Sequence, residues 1–463
     1  MESNVGMELQ THFALQAEVA AFAVVPGADR CQDPYLRCAF YGAAQTLLGV
    51  RDSCLLAHSP QGCQLLVERA FGWQQADYTQ TKVLCTKLCE AEIVHGGEEL
   101  LARTIREGTA YDVPVLFVLS ACGPEIVGDD IARVCQDVQS DVPFQLVPVP
   151  CPGFRGSQYV GVDVALDVLI ARFGHQRRQK VPCSVCLIAP HANANPTWQG
   201  DLAWVRGVLE RMGATVVAVL THDTPFAELG RMASAEYSLV LSHDAGQKAA
   251  HRLAAEHDVQ PLCSGLPLPI GLSNTAAWLT ELGEVLGAKS VAQEMIRAGE
   301  QRVVEQLRRR GVEIHFFSKA EAAIVADASV GIPLLRFLFE DLEMIPRLVC
   351  LRANSTEAQA LLRAECQDLG LSPVVVPQAD VYQVKQALQQ VPVDAVFGSN
   401  LEAHLAQELG IPFGFQIVNP MARFRMTDRE YLGYTGLLNL VETVQNDWWD
   451  RQKSKVRRYE GYW

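Results

Sequence analysis

The chain has 463 residues, 49% of them hydrophobic and 20% charged, a balance that fits several folded cores and excludes both a disordered chain and a single small module. Thirty-nine Lys and Arg against 53 Asp and Glu give a net charge of −14 at pH 7, the wrong sign for a chain whose main task is to neutralise phosphates, so no nucleic-acid partner is expected. With no basic leader at the N-terminus and no apolar run near about 18 residues, the expectation is a cytoplasmic protein without a membrane partner.

In chain order, short apolar runs alternate with helical patterns, as in parallel sheets with helices on both faces. RCQDPYLRCAFYGA places Cys38 at the head of a predicted helix, and LLAHSPQGCQ is an apolar run followed by a Pro/Gly turn that carries Cys63. VPVLFVLS (113–120) predicts a strand running into SACGPEIVGDD, with Cys122 in the turn, then a helix over DDIARVCQDVQ and a strand over VPFQLVPV (142–149). SVCLIAPHANAN, the helix DLAWVRGVLERMG, the strand ATVVAVLTHD and then YSLVLS (237–242) repeat that order. VAQEMIRAGEQRVVEQLRRR reads as an amphipathic linker helix with Val291, Met295, Val303 and Leu307 on one stripe. The order returns in VDAVFGSN (393–400), LEAHLAQELG and IPFGFQIV (411–418). A closing helix is expected over LLNLVETVQ, with Leu437, Val441 and Val444 on one face, and the basic, aromatic tail KSKVRRYEGYW suits an anchored partner contact. The fold class is therefore α/β with three doubly wound, Rossmann-like parallel-sheet domains. Their expected bounds are 1–178, 179–288 and 311–418, with a linker helix at 289–310 and a C-terminal helix and tail at 419–463.

Fourteen cysteines without a secretion signal read as reduced thiols serving metal ligation, redox chemistry or plain burial. In an open parallel sheet, ligands collect beyond the carboxyl ends of the strands, so cysteines in those loops weigh most. Cys38, Cys63 and Cys122 lie on three separate stretches and none forms a tight local pair, which suits a cluster of several irons better than a tetrahedral zinc site. Burial alone is the competing reading. Cys183 and Cys186 fall where a strand begins and alternate to opposite faces, which reads as structural. Cys85 and Cys89 have the spacing of one helix face and read as packing. His58, His95 and His243 lie in or near loops and are expected to be hydrogen-bonded surface groups. Neither a phosphate-binding Gly-rich loop ending in Gly-Lys-Ser/Thr nor a hydrolase signature is present.

CAFYGAAQTLLGVRDSCLLAHSPQGCQ (38–64), EAEIVHGGEELL (90–101), SACGPEIVGDDI (120–131) and VPCPGFRGSQYVG (149–161) resemble, in order, the segments that define the nitrogenase component 1 superfamily. A weaker likeness continues through LPIGLSNTAAWL (268–279), FGSNLEAHLAQELGIPF (397–413) and NPMARFRMTDREYLGYTGLLNLVE (419–442). The resemblance implies three α/β domains per subunit and a heterotetramer of two α-type and two β-type subunits. It also implies an iron–sulfur cluster shared at their interface, each subunit giving three cysteines, and an ATP-dependent iron protein that docks and supplies electrons. Cys38, Cys63 and Cys122 fall on the three motif positions, with a β-type spacing. The implied cofactor is an eight-iron cluster of the P-cluster type, with a four-iron cluster as the alternative.

In the α-type chains a further cysteine and a histidine hold the active-site cofactor. The matching stretches here are SLVLSHDAGQ, without cysteine, and YLGYTG, with Leu432 at the histidine's place, so this chain is expected to carry no catalytic residue and to leave the substrate site to its partner. His95 stands where a Phe of the family motif lines the surface that receives the iron protein, and Gly153 where conventional molybdenum-type β chains carry a Ser that can ligate the cluster. CPGFRG looks more like α-type and scaffold chains. These departures direct the expectation to an electron-transfer subunit of a nitrogenase-like oxidoreductase, with methylthio-alkane reductase first. A cofactor-assembly scaffold or a true nitrogenase β subunit is the alternative.

Overall fold

The computed structural model describes residues 35–73, 82–175, 179–189, 195, 197–311, 317–353, 355–418 and 427–455. The readings of the N-terminus as leaderless and of the tail beyond Lys455 as a partner contact lie outside the described residues. Among those residues no helix is long and apolar enough to cross a membrane. Backbone contacts divide the chain into two compact units: Pro34–Asn193 with Leu209–Ser264, and Ala194–Val208 with Gly265–Trp463.

The first unit holds two four-stranded parallel sheets, besides a two-stranded parallel pairing of Val50–Arg51 with Thr224–Pro225. Strands β1 (Ser53–His58), β2 (Lys82–Cys85), β3 (Val115–Ser120) and β4 (Gln145–Pro150) lie in the order β2-β1-β3-β4. Every residue of β1 and β3 is buried, which is why both read as unbroken apolar runs rather than alternating ones. Around this sheet run α1 (Ala39–Leu48), α2 (Gln61–Trp73), α3 (Glu90–His95), α4 (Glu98–Glu107), α5 (Cys122–Val127), α6 (Ile131–Val138) and α7 (Gln158–Phe173). Leu101 and Ile105 of α4 and Ile131, Val134 and Val138 of α6 pack with Leu116 and Val118 in one core. The second sheet has β5 (Ser184–Ile188), β6 (Thr215–Leu220), β7 (Tyr237–Val240) and β8 (Gln260–Leu262) in the order β8-β7-β5-β6, the same succession. In each sheet the winding reverses between the first and third strands, which opens a crevice at their carboxyl ends.

The second unit is built on β9 (Glu321–Ala326), β10 (Ile345–Leu351), β11 (Val374–Pro377), β12 (Ala395–Gly398) and β13 (Phe413–Gln416), all parallel in the order β11-β10-β9-β12-β13. The helix Lys289–Arg310 buries Ala292, Met295 and Val303 along one stripe. The closing helix Gly433–Lys455 buries Leu437, Val441 and Val444.

Candidate metal centre

Cys63 follows β1 and Cys122 follows β3, the two strands that flank the crevice of the first sheet. Cys38 caps the N-terminus of α1, Cys63 lies in the first turn of α2, and Cys122 is the first residue of α5. All three thiols thus sit at the N-terminal ends of helices. Pro60 precedes α2 at a place where its missing N–H leaves no helical bond unmade.

Two close helix approaches bring Cys38 to the other two. A Cβ on Gly42 would lie 1.8 Å from the Gln158 carbonyl oxygen, and one on Gly161 would lie 1.8 Å from that of Ala39, so α1 and α7 cross in backbone contact that only glycine allows. The Ala39 N–H donates to Gly156 O at 2.9 Å and the Gln158 N–H to Arg37 O at 2.7 Å, tying the Cys38 segment to the 153–158 turn. In that turn, a Cβ on Gly153 would lie 3.0 Å from Cys122 Sγ and 3.1 Å from Cys38 Sγ. Two sulfurs therefore close over a glycine that leaves them room. Burial first, and then the neighbouring sulfurs of Cys38, Cys122 and Cys85, push the Cys63 thiol up. The three sequence-selected cysteines share one electrostatic neighbourhood.

Thiols crowded this way repel one another as thiolates, and a bound cation removes that penalty. Among the described residues no three His, Cys, Asp or Glu converge as they would on a single ion. Soft sulfur donors from three loops, two of them against Gly153, fit a multi-iron cluster better than a single ion.

Several expectations are corrected. Cys85 ends β2 and Cys89 caps α3, so they share no helix: a spacing of four fits a strand end plus a cap as well as a helical turn. Cys85 Sγ instead lies 3.3 Å from the Lys87 nitrogen and 3.4 Å from Ser59 O, beside the loop that leads to Cys63. His58 and His243 are not surface groups; both are buried, and burial lowers the His243 pKa to about 4. His95 is exposed. Sequence reasoning also missed the His58–Asp129 pair, whose Nε2 and Oδ2 are 3.0 Å apart. Its residues stand in two of the motifs, HSPQGC and GDD, but nothing in the spacing says that they meet.

In the two stretches compared above with α-type chains, side-chain oxygens accept backbone N–H groups. Asp201 accepts the N–H groups of Tyr431 and Leu432 at 2.7 and 3.0 Å, and burial raises its pKa to about 6. Ser242 Oγ accepts the Asp244 and Ala245 N–H groups at 3.0 and 3.3 Å, folding the SHDAG turn on itself. Five large apolar side chains of the segments that carry the thiols and the neighbouring motifs are exposed: Leu65, Ile93, Val94, Ile126 and Phe154, Val94 and Ile126 by 73% and 75%.

The sequence profile of the nitrogenase component 1 type oxidoreductases matches residues 38–448. The chain is 23% identical to the nitrogenase iron-molybdenum cofactor biosynthesis protein NifE of Clostridium pasteurianum over 89% of its own length and 88% of that protein's. It is 23% identical to the nitrogenase vanadium-iron protein beta chain of Trichormus variabilis and 24% identical to a nitrogenase molybdenum-iron protein beta chain of Methanococcus maripaludis, in each case over 89% of this chain and 93% of the other. The solved structure of nitrogenase Cp1 at pH 6.5 superposes with a TM-score of 0.79 at 18% identity, covering 96% of this chain and 99% of that one, a likeness of fold. With a profile match spanning all three cysteine positions and relatives aligned along most of its length, the chain belongs to the nitrogenase component 1 type oxidoreductase family.

Proposed function

We propose that this chain is the β-type subunit of a nitrogenase-like reductase, holding through Cys38, Cys63 and Cys122 its half of an iron–sulfur cluster shared with an α-type partner in a heterotetramer served by an ATP-dependent iron protein. The observation that carries this reading is the gathering of three thiols from three loops, the Cys38 and Cys122 sulfurs against Gly153 and the Cys63 thiol in their electrostatic neighbourhood. A bound cluster of this kind supplies one-electron relay chemistry. The residues of the chain present the donors: three helix starts carry the thiols, and the Gly42–Gly161 crossing sets the reach of Cys38. The apolar side chains from Leu65 to Phe154 suit burial by the α-type partner, which would dry the site and lower its dielectric.

Substrate chemistry belongs on this reading to the partner, because Leu432 and the SHDAG turn stand where α-type chains hold their cofactor. His95 and Gly153, both departures from conventional β chains, favour a reductase that cleaves the carbon–sulfur bond of methylthio-alkanes over one that reduces dinitrogen. A second reading, a cofactor-assembly scaffold, is favoured by the CPGFRG segment and by the likeness to NifE. The test is co-expression with an α-type partner, purification without oxygen and assay with an iron protein and ATP. Sustained release of methanethiol from a methylthio-alkane supports the first reading. Transfer of a cluster precursor without sustained turnover supports the scaffold, and acetylene reduction a true nitrogenase.

A further inference from the structure

His58 ends β1, five residues before Cys63, and is wholly buried. Its partners select one state of the ring. Asp129 Oδ2 lies 3.0 Å from Nε2, and the same carboxylate accepts the Gly97 N–H at 3.0 Å to each oxygen. A carboxylate cannot donate, so the ring proton is on Nε2. Nδ1 then accepts from Thr86 Oγ1 at 3.2 Å, and that oxygen takes the Ser59 N–H at 3.1 Å. Burial outweighs the attraction of Asp129 and keeps the imidazole neutral. At the turn, a Cβ on Gly97 would lie 2.8 Å from Asp129 Oδ2 and 2.9 Å from His58 Cε1, so the glycine is seated directly on the pair. One network thereby joins the end of β1, the residue after β2, the His95–Gly97 turn and the Asp129 that follows α5.

We propose that His58 is a positioning residue for Cys63: through its Nε2–H bond to Asp129 it locks the loop carrying that thiol to the His95–Gly97 turn, by hydrogen-bond geometry rather than by filled volume. The proposal rests on the cluster reading only for the purpose of the lock, and the lock itself is testable without iron. His58→Gln keeps an N–H donor for Asp129, whereas His58→Leu fills similar volume and leaves the carboxylate without it. In the full-length chain, reduced and metal-free, two rates are read: hydrogen exchange at the Gly97 amide and alkylation of Cys63 by iodoacetamide, followed by peptide mass. The expected result is a rise of about tenfold in both for His58→Leu and less than about twofold for His58→Gln. Equal behaviour of the two variants overturns the proposal. Should His58→Leu fail to fold, Asp129→Ala, which removes the oxygen that accepts the Nε2–H, must raise both rates, and unchanged rates overturn the proposal. In the anaerobic complex, His58→Leu should shift the cluster's midpoint potential at undiminished iron content while His58→Gln does not. A wild-type complex without iron would refute the cluster reading and leave the two metal-free rates to decide this one.

Discussion

The first and third sheets have the same kind of crevice and fill it differently. Beside the switch point of the third sheet, Arg352 follows β10 and meets Glu402 at 2.9 Å, with both side chains almost fully buried. Burial works against the charge on Glu402, but Arg352 and the Ser399 hydroxyl and N–H outweigh it and hold the carboxyl below its usual range. The Ser399 N–H reaches that carboxylate at 2.7 Å in a capping box at the head of the helix Asn400–Glu408. Charge meets charge within the sheet's own strand ends. At the first sheet the strand ends lead to Cys63 and Cys122, and burial, then the neighbouring thiols, raise the cost of ionising Cys63. Polar groups gather at a switch point in either case. What marks a ligand site is a set of donors that cannot satisfy one another.

The sharpest way to break this contrast is Cys63→Ala. It should abolish cluster loading, with iron in the purified complex falling to background, while the urea unfolding free energy of the chain moves by less than about 1 kcal/mol. Glu402→Ala should do the opposite: it strands a buried guanidinium and costs about 3–5 kcal/mol in the same unfolding experiment, with iron per folded complex unchanged. Gly153→Ala tests the space between the thiols. Its Cβ would meet the Cys122 and Cys38 sulfurs at 3.0 and 3.1 Å and needs each to give slightly, so iron loading should fall by about twofold at a stability cost of about 1 kcal/mol.

The smallest effects are in pH, and they have opposite signs in the two units. Burial lowers His243 of the first unit from 6.5 to about 4, so its contribution to stability is full above pH 6.5 and is lost as pH falls toward 4. Burial raises Asp341 of the second unit from 3.8 to about 7, although the Leu272 N–H at 3.1 Å opposes it. Its contribution is therefore full below pH 3.8 and lost as pH rises through 7. Hydrogen exchange resolved by segment from pH 4 to 8 should show the first unit loosening on the acid side. The second should loosen on the alkaline side, and Asp341→Asn should flatten that limb alone.

Much of this was legible in the chain before any geometry. VPVLFVLS and VDAVFGSN are long enough and apolar enough to read as buried parallel strands, and the polar residues after them mark where loops begin. Their ends were read less well: β3 starts at Val115 rather than at Val113, after Pro114, which has no N–H for a ladder. Cys38 as the head of a helix was readable because the helical pattern begins directly after it. The Gly42–Gly161 crossing was not, since a glycine inside a helix has no local sign of the backbone it admits. His58 escaped for the same reason. Its burial depends on Asp129, far along the chain, and a histidine at a strand end looks alike whether a loop covers it or water does.

The most direct test of the account is iron and acid-labile sulfide on the protein purified without oxygen, together with whatever chain accompanies it. The account predicts about eight irons per heterodimer beyond any cofactor of the partner, lost in Cys63→Ala. Negligible iron, with the fold intact and Cys38, Cys63 and Cys122 titrating as free thiols, would contradict it and leave the likeness as one of fold alone.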